Sequence, residues 1–288
     1  MILVTGAAGK TGKAVITSLI NRGEACRAFV RSETQAHDLQ SNLHCEIIIG
    51  DLRNPHDIEI ATRNINSIYF ICPNVTQDEL DIGKSLARAA KLNGVSRFVY
   101  HSVLHPQIES MPHHWQKLRM EEFLFTSGLD FTILQPCAYM QNVLGSWKTI
   151  TNDGKYIVPY LTETRISIID LKDIGETAAI VLTEAGHSNA IYEIAGPEPL
   201  SQNEVAKIIA EVIKINVIAE SISRDTWREN AKRSGMPDYQ LQVLVNMFEY
   251  YEKYGLIGSP FILCSLLKRE PTFFSDFLRN QIFFQEIG

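Results

Sequence analysis

The chain has 288 residues, 45% of them hydrophobic and 21% charged, with a formal charge of −6. That length suits one large α/β domain, or one domain with a smaller lobe, and the balance is that of an ordinary globular protein. The acidity argues against a nucleic-acid or anionic-membrane partner, which would want a basic face, and no run of about 18 apolar residues marks a transmembrane helix. The first apolar stretch, Ile2 to Val4, stops at glycine and is too short for a signal peptide. The five cysteines, Cys26, Cys45, Cys72, Cys137 and Cys264, are odd in number, scattered and without a CxxC pair. They read as buried reduced thiols in a cytoplasmic protein.

Along the chain, short β-rich runs are expected at 2–4, 25–30, 46–49, 67–71, 97–101 and 130–134. Helical patterns fall between them. Segment 13–21 carries Val15, Ile16, Leu19 and Ile20; 82–92 carries Leu86, Ala89, Ala90 and Leu92; 115–125 carries Leu118, Met120, Phe123 and Leu124. Alternating helices and continuously apolar strands predict a parallel sheet covered on both faces. Right-handed crossovers make it doubly wound.

The second half is less regular. A strand is expected at 165–169, then a helix over DLKDIGETAAIVL whose acids at Asp170 and Asp173 suit a helix N-terminus. Another strand follows at 190–194. Ser201 and Glu204 fit a capping box at the head of a helix over 202–213. After 217–222 come helical stretches at 225–233 and 238–253, separated by GMP at 235–237, and Pro271 precedes a last amphipathic helix. There is no internal repeat, low-complexity tail or Gly/Ser linker, so the second part is expected to pack on the first. The expected organisation is a Rossmann-like α/β domain over 1–150, with sheet contributions from about 165–195. A smaller C-terminal α/β lobe over 151–288 would be mainly for substrate.

The glycines of MILVTGAAGKTG sit where the first strand should end and the first long helix begin. A tight turn there favours glycine backbone angles at Gly6, and bare backbone at Gly9 lets a phosphate approach the free amides of the helix start. Gly12 allows the helix to pack close to the sheet. The spacing differs by one residue from GxGxxG, and a glycine-rich turn that binds nothing is the competing reading. The strand–helix–sheet context favours a dinucleotide, with Ala8, Lys10 and Thr11 inside the same loop.

The second strand runs CRAFVRS. Where an NAD site usually places Asp or Glu, this chain has Val30 and Arg31. A guanidinium can pair with a 2′-phosphate, so NADP(H) is expected over NAD(H); a solvated surface arginine is the rival, and Glu33 is close by. Asp51, with Leu52, follows the third strand in IIIGDLRNP and could accept the adenine amino group or simply hold a turn. Cys72 and Pro73, in FICPN, would flank the cofactor and supply shape.

TGAAGKTG, FVRS, GDLRNP, FVYHS, the Lys117 segment, TILQP with YMQN, IIDLKDIGETAA and the C-terminal RxPTFFSDF together resemble the NmrA-like branch of the atypical short-chain dehydrogenase/reductases. Within that branch they are similar to the NADPH-dependent quinone reductase and triphenylmethane reductase group. The resemblance implies NADP(H) on Gly6, Gly9, Gly12 and Arg31, and a substrate cleft between domain and lobe. It also implies Lys117 near the nicotinamide ribose. Ordinary members place a tyrosine four positions before that lysine; here His113 stands there, in MPHHWQKLRM. His113 or His114 could supply a proton, or a quinone could take its proton from water; two exposed polar residues before a helix is the bland reading. Ser102, ending FVYHS, could hydrogen-bond a carbonyl at the cleft mouth or be a plain strand-end hydroxyl.

Pro136 and Tyr139 follow the sixth strand and would line the nicotinamide and substrate space, with Gln135 where the family pattern often has Arg. Two functions follow. One is an NADPH-dependent reductase of quinones or similar flat electron acceptors. The other is a non-catalytic NADP(H) sensor acting through a protein partner, since no basic stripe or DNA-binding module is present. A homodimer is compatible with both. A nucleotide-sugar isomerase normally needs the Tyr/Lys pair that is missing here. No metal site is expected.

Overall fold

The computed structural model describes residues 1–40 and 45–287. The chain begins β1 (Ile2–Val4), α1 (Lys10–Asn21), β2 (Cys26–Val30), α2 (Glu33–Gln40), β3 (Glu46–Ile49), α3 (Pro55–Ala61), β4 (Ser67–Phe70) and α4 (Glu79–Leu92). Next come β5 (Arg97–His101), α5 (Pro112–Ser127), β6 (Phe131–Pro136), β7 (Ala138–Tyr139), a 3₁₀ turn (Met140–Ser146) and α6 (Trp147–Asp153). Then follow β8 (Lys155–Val158), β9 (Arg165–Ile169), α7 (Leu171–Thr183), β10 (Ala190–Ile194), β11 (Pro199–Ser201) and α8 (Gln202–Ile213). The chain closes with β12 (Ile218–Ser221), α9 (Arg224–Arg233), α10 (Asp238–Tyr254), α11 (Phe261–Leu267) and α12 (Phe274–Ile287).

The chain divides into two compact units. The first comprises Met1–Gln107, His113–Pro136 and Leu171–Glu193; the second comprises Ile108–Pro112, Cys137–Asp170 and the residues from Ile194 onward. The first unit holds a seven-stranded sheet in the order β10-β6-β5-β4-β1-β2-β3. From β3 to β6 every pairing is parallel, with Val4 opposite Ala28 and Tyr69, and Tyr100 opposite Phe70 and Ile133. The chain winds outward from β1 to β3, returns to β4 and winds the other way, so the switch point lies between β1 and β4.

Continuous burial explains why the inner strands lack alternation. β1, β2, β4 and β6 are buried at every residue, whereas β3, on the sheet's edge, is partly exposed. One face packs Leu3, Phe29, Phe70 and Tyr100 against Ile58 of α3, Leu86 of α4 and Met120 of α5. On α1, Val15, Ile16 and Leu19 are buried, and α1 packs along α7.

The second unit has two small sheets. β9 pairs antiparallel with β11 and parallel with β7, and β12 pairs parallel with β8. Its core joins Met140, Ile150, Leu200, Ile209, Phe274 and Phe277. The expected capping box is present: Glu204 N donates to Ser201 Oγ at 3.2 Å, and Ser201 N donates back to Glu204 Oε2 at 2.8 Å.

Some features depart from expectation. Of the segment 165–195, β10 enters the large sheet, but β9 pairs with β7 and β11 instead. Helix α2 carries only Ala36 and Leu39 as buried residues, too few for a visible period. Helix α3 is started by Asn54, whose side chain accepts from His56 N at 3.0 Å, with Pro55 in the first turn. All five cysteines are free, but only Cys26, Cys72 and Cys137 are buried; Cys45 and Cys264 are half-buried. Among the described residues no helix is long and apolar enough to cross a membrane.

Candidate cofactor-binding site

The bend after β1 forms at the switch point. Thr5 ties β1 to β4: its N donates to Tyr69 O at 3.1 Å, its Oγ1 donates to Ile71 O at 2.9 Å, and Oγ1 accepts from Ile71 N at 2.8 Å. Gly6 then turns with φ of +58°, in the left-handed region that suits glycine. Gly9 N donates to Gly6 O at 3.0 Å, closing the loop, and Gly9 is the N-cap of α1. A Cβ on Gly12 would lie 2.4 Å from Gly6 O and 2.7 Å from Ala7 Cα, so only glycine lets the helix start this close to the loop.

Gly9 offers no capping side chain, and α1 has no acidic residue in its first turn. The first helical amides have no acceptor within the helix. A bare cradle with unmatched N–H donors at the positive end of a helix fits a diphosphate. Lys10 and Gly9 are exposed, Ala8 and Thr11 half-buried, and Gly12 buried.

Arg31 follows β2 and is exposed. Its N donates to Gln35 Oε1 at 2.9 Å, and its guanidinium has no partner among the described residues. Glu33, also exposed, opens α2. Asp51 is engaged locally: its Oδ1 accepts from Arg53 N at 2.9 Å, and its own N donates to Asp57 Oδ2 at 2.9 Å. Its carboxylate therefore holds the turn after β3. Leu52 is buried in the core, Cys72 is buried, and Pro73 is half-buried. Burial pushes the Cys72 thiol upward, and the Glu79 carboxylate adds to this, so it stays protonated.

Lys117 lies on α5 within a nest of buried polar groups. Its Nζ donates to Glu79 Oε1 at 2.8 Å and to His101 O at 3.1 Å. Tyr100 OH donates to the same Glu79 oxygen at 2.6 Å. The Glu79 side chain is 3% exposed and that of Lys117 15%. Sequence reasoning missed Glu79; its only local signal is an acid in the first turn of α4.

Ser102 is buried, and its hydroxyl donates to Glu121 Oε1 rather than standing at an open mouth. Gln135 Nε2 donates to both Glu121 oxygens, at 3.0 and 2.9 Å, so an amide serves a buried carboxylate where an arginine was the usual pattern. Burial pushes the Glu121 carboxyl up, against the opposing pull of these hydrogen bonds.

His113 and His114 are not exposed residues ahead of a helix; they lie in the first turn of α5. His114 is fully buried, its Nδ1 donates to His105 O at 3.1 Å, and its ring meets that of His113 edge-on at 4.5 Å. Burial, the His114 ring and the Lys117 charge bring His113 down to about 3, and burial brings His114 down to about 4. His101, bonded through Nδ1 to Tyr69 OH at 2.7 Å, is brought down to about 3 by burial and by Lys117. These imidazoles are neutral at neutral pH. Pro136 ends β6, with its carbonyl accepting from Leu104 N at 2.8 Å; Tyr139 ends β7 and is half-buried in the second unit. Among the described residues no group of His, Cys, Asp and Glu is arranged to hold a metal ion.

Residues 1–278 match the NmrA-like family. The chain is 30% identical over 239 residues to an NAD(P)H azoreductase of Xenophilus azovorans, covering 83% of this chain and 82% of that one. It is 25% identical over 274 residues to quinone oxidoreductase 2 of Escherichia coli (strain K12), covering 94% and 95%. Its fold is similar to that of the NADPH-dependent quinone oxidoreductase QOR2 of Escherichia coli, crystallised with NADPH. The TM-score is 0.85, at 24% identity over 98% of this chain and 100% of that one.

Proposed function

This chain belongs to the NmrA-like family, and from that premise we propose that it is an NADPH-dependent reductase of quinones or similarly flat electron acceptors. The bend carries the reading. It is a glycine cradle at the sheet's switch point, where a Cβ on Gly12 would fall 2.4 Å from Gly6 O. When bound there, NADPH supplies a hydride to an acceptor lying against it. The relatives add weight, since those named above are an NAD(P)H azoreductase and a quinone oxidoreductase.

The residues take distinct parts. The amides around Gly9 hold the diphosphate, with Lys10 and Thr11 at the loop's rim. Arg31, exposed and without a carboxylate at the position that would favour a free ribose hydroxyl, selects the 2′-phosphate. Leu52, Cys72 and Pro73 shape the surroundings, with Asp51 at the adenine end. Lys117 holds the nicotinamide ribose. No side chain of the Lys117 nest is set up as a strong acid, because its histidines are neutral and Ser102 is committed to Glu121. That suits an acceptor whose reduced oxygen is protonated by water.

The test is NADPH oxidation against a panel of quinones, with cofactor binding followed by fluorescence. Turnover of at least one quinone is expected. Tight NADPH binding without turnover of any acceptor would replace this reading with that of an NADP(H) sensor.

A further inference from the structure

The Met120 side chain of α5 lies over Gly83 of α4, where a Cβ would fall 2.3 Å from Met120 Sδ. One turn back along each helix, four residues before Gly83 and three before Met120, stand Glu79 and Lys117. These two side chains meet in a hydrogen bond of 2.8 Å although 38 residues separate them in sequence. An ammonium carries three N–H donors. Two are engaged, by Glu79 Oε1 and by the His101 carbonyl, and Tyr100 OH fixes that Glu79 oxygen from the other side. The Lys117 ammonium also lies 5.4 Å from the Tyr100 ring centroid.

We propose that Glu79, braced by Tyr100, is a positioning residue that aims the Lys117 ammonium and leaves one N–H for the ribose hydroxyls of the cofactor. The inference rests on the reading of Lys117 as the ribose contact. Lys117 then acts as a directed donor whose charge is matched by a buried carboxylate, rather than as a source of positive field.

The groups facing Lys117 come from several elements. Glu79 is on α4, and Tyr100 and His101 are on β5. Cys72 follows β4, and His113, His114 and Glu121 share α5 with Lys117. The histidines are neutral, the thiol stays protonated, and Glu121 is bonded to Ser102 and Gln135. Glu79 is the carboxylate bonded to Lys117. Without that carboxylate, the half-buried ammonium loses the acceptor that fixes its direction.

The experiment compares Glu79→Gln with the unaltered full chain. In Glu79→Gln the NADPH affinity should fall roughly tenfold, the value of one hydrogen bond to a charged group, because the ammonium is no longer aimed at the ribose. A second readout needs no cofactor. Competitive acylation of amines on the cofactor-free chain at one fixed pH, read by peptide mass spectrometry, should label Lys117 faster in Glu79→Gln, because its nitrogen is no longer held by the carboxylate.

Glu79→Asp keeps the charge and shortens the reach. It should recover part of the affinity, staying within roughly threefold of the unaltered chain. If Glu79→Gln and Glu79→Asp both follow the unaltered chain in NADPH affinity and in labelling, the positioning role is overturned. If Lys117→Gln leaves NADPH affinity unchanged while labelling still shifts in Glu79→Gln, the ribose reading fails and the Glu79–Lys117 coupling stands.

Discussion

At the bend after β1 the groups on offer are main-chain amides, and side chains have been stripped away to present them. Around Lys117 the groups are side chains withdrawn from water, each held by another. Gly9 caps α1 without a side chain, whereas Lys117 Nζ and Tyr100 OH converge on one oxygen of the Glu79 carboxylate. A site made of amides carries no proton that comes or goes between pH 4 and pH 9, so its hold on a phosphate is set by shape. A site made of buried charges is sensitive to every neighbour that titrates or is removed. The two regions should therefore fail in different ways.

The largest effect is expected at the bend. Gly12→Ala forces a Cβ to 2.4 Å from Gly6 O and 2.7 Å from Ala7 Cα, with backbone on both sides and no flexible chain end to yield. Re-aiming the loop should weaken NADPH binding roughly a hundredfold, the loss of about two charge-assisted hydrogen bonds. It should also cost about 3 kcal/mol of stability through overpacking. A fluorescence titration and a urea melt read the two effects separately, and the binding defect should be the same at every pH.

In the nest, Lys117→Gln leaves the Glu79 carboxylate, 3% exposed, without its counter-charge. This should cost about 3 kcal/mol in a urea melt, and the double variant Lys117→Met with Glu79→Leu should recover most of it. If the double variant is as unstable as the single, the pair is not what the region's stability depends on.

Acid should separate the regions next. Folding holds His101 and His113 down to about 3 and His114 to about 4, from an ordinary 6.5. Their contribution is complete above about 6.5 and is lost as pH falls toward those lowered values, because the unfolded chain takes up the protons first. Each histidine adds a slope of up to about 1.4 kcal/mol per pH unit in that window. Glu121 is shifted upward and acts in the opposite sense, its share fading as pH rises through its raised value. Urea melts at pH 7.5, 6 and 5 should show falling stability, and His114→Gln should flatten the decline. A profile unchanged by that substitution would remove His114 from the account.

The smallest effect is the most selective. Arg31→Ala should weaken NADPH roughly tenfold, the value of a charge-assisted hydrogen bond, and leave NADH untouched. Equal affinity of the variant and the unaltered chain for both cofactors would deny the 2′-phosphate a guanidinium partner.

The contrast also explains how much could be read in advance. The bend depends on residue identity within seven positions, because φ of +58° at Gly6 suits glycine and the contact at Gly12 leaves no room for a Cβ; its purpose is visible in the letters. Arg31 stands at a strand end and is equally local. β1 and β5 have the bounds that their apolar runs suggest, since burial on both faces leaves a nearly unbroken signature. Glu79 has no such mark. It meets Lys117 on a different helix, 38 residues on, and helix periodicity says which residues are buried but not which partners they find. The partner of Ser102 is hidden for the same reason, its acceptor being nineteen residues away on α5. β7, β8 and β11 are two to four residues long, too short to show a period.

The most direct test of the central claim is amide hydrogen exchange with and without NADPH. The amides of residues 6–13, at the bend and the first turn of α1, should gain the strongest protection in the chain, and should gain it equally with NADH at saturation. Unchanged exchange there, with protection confined to other segments, would contradict a diphosphate held by this bend.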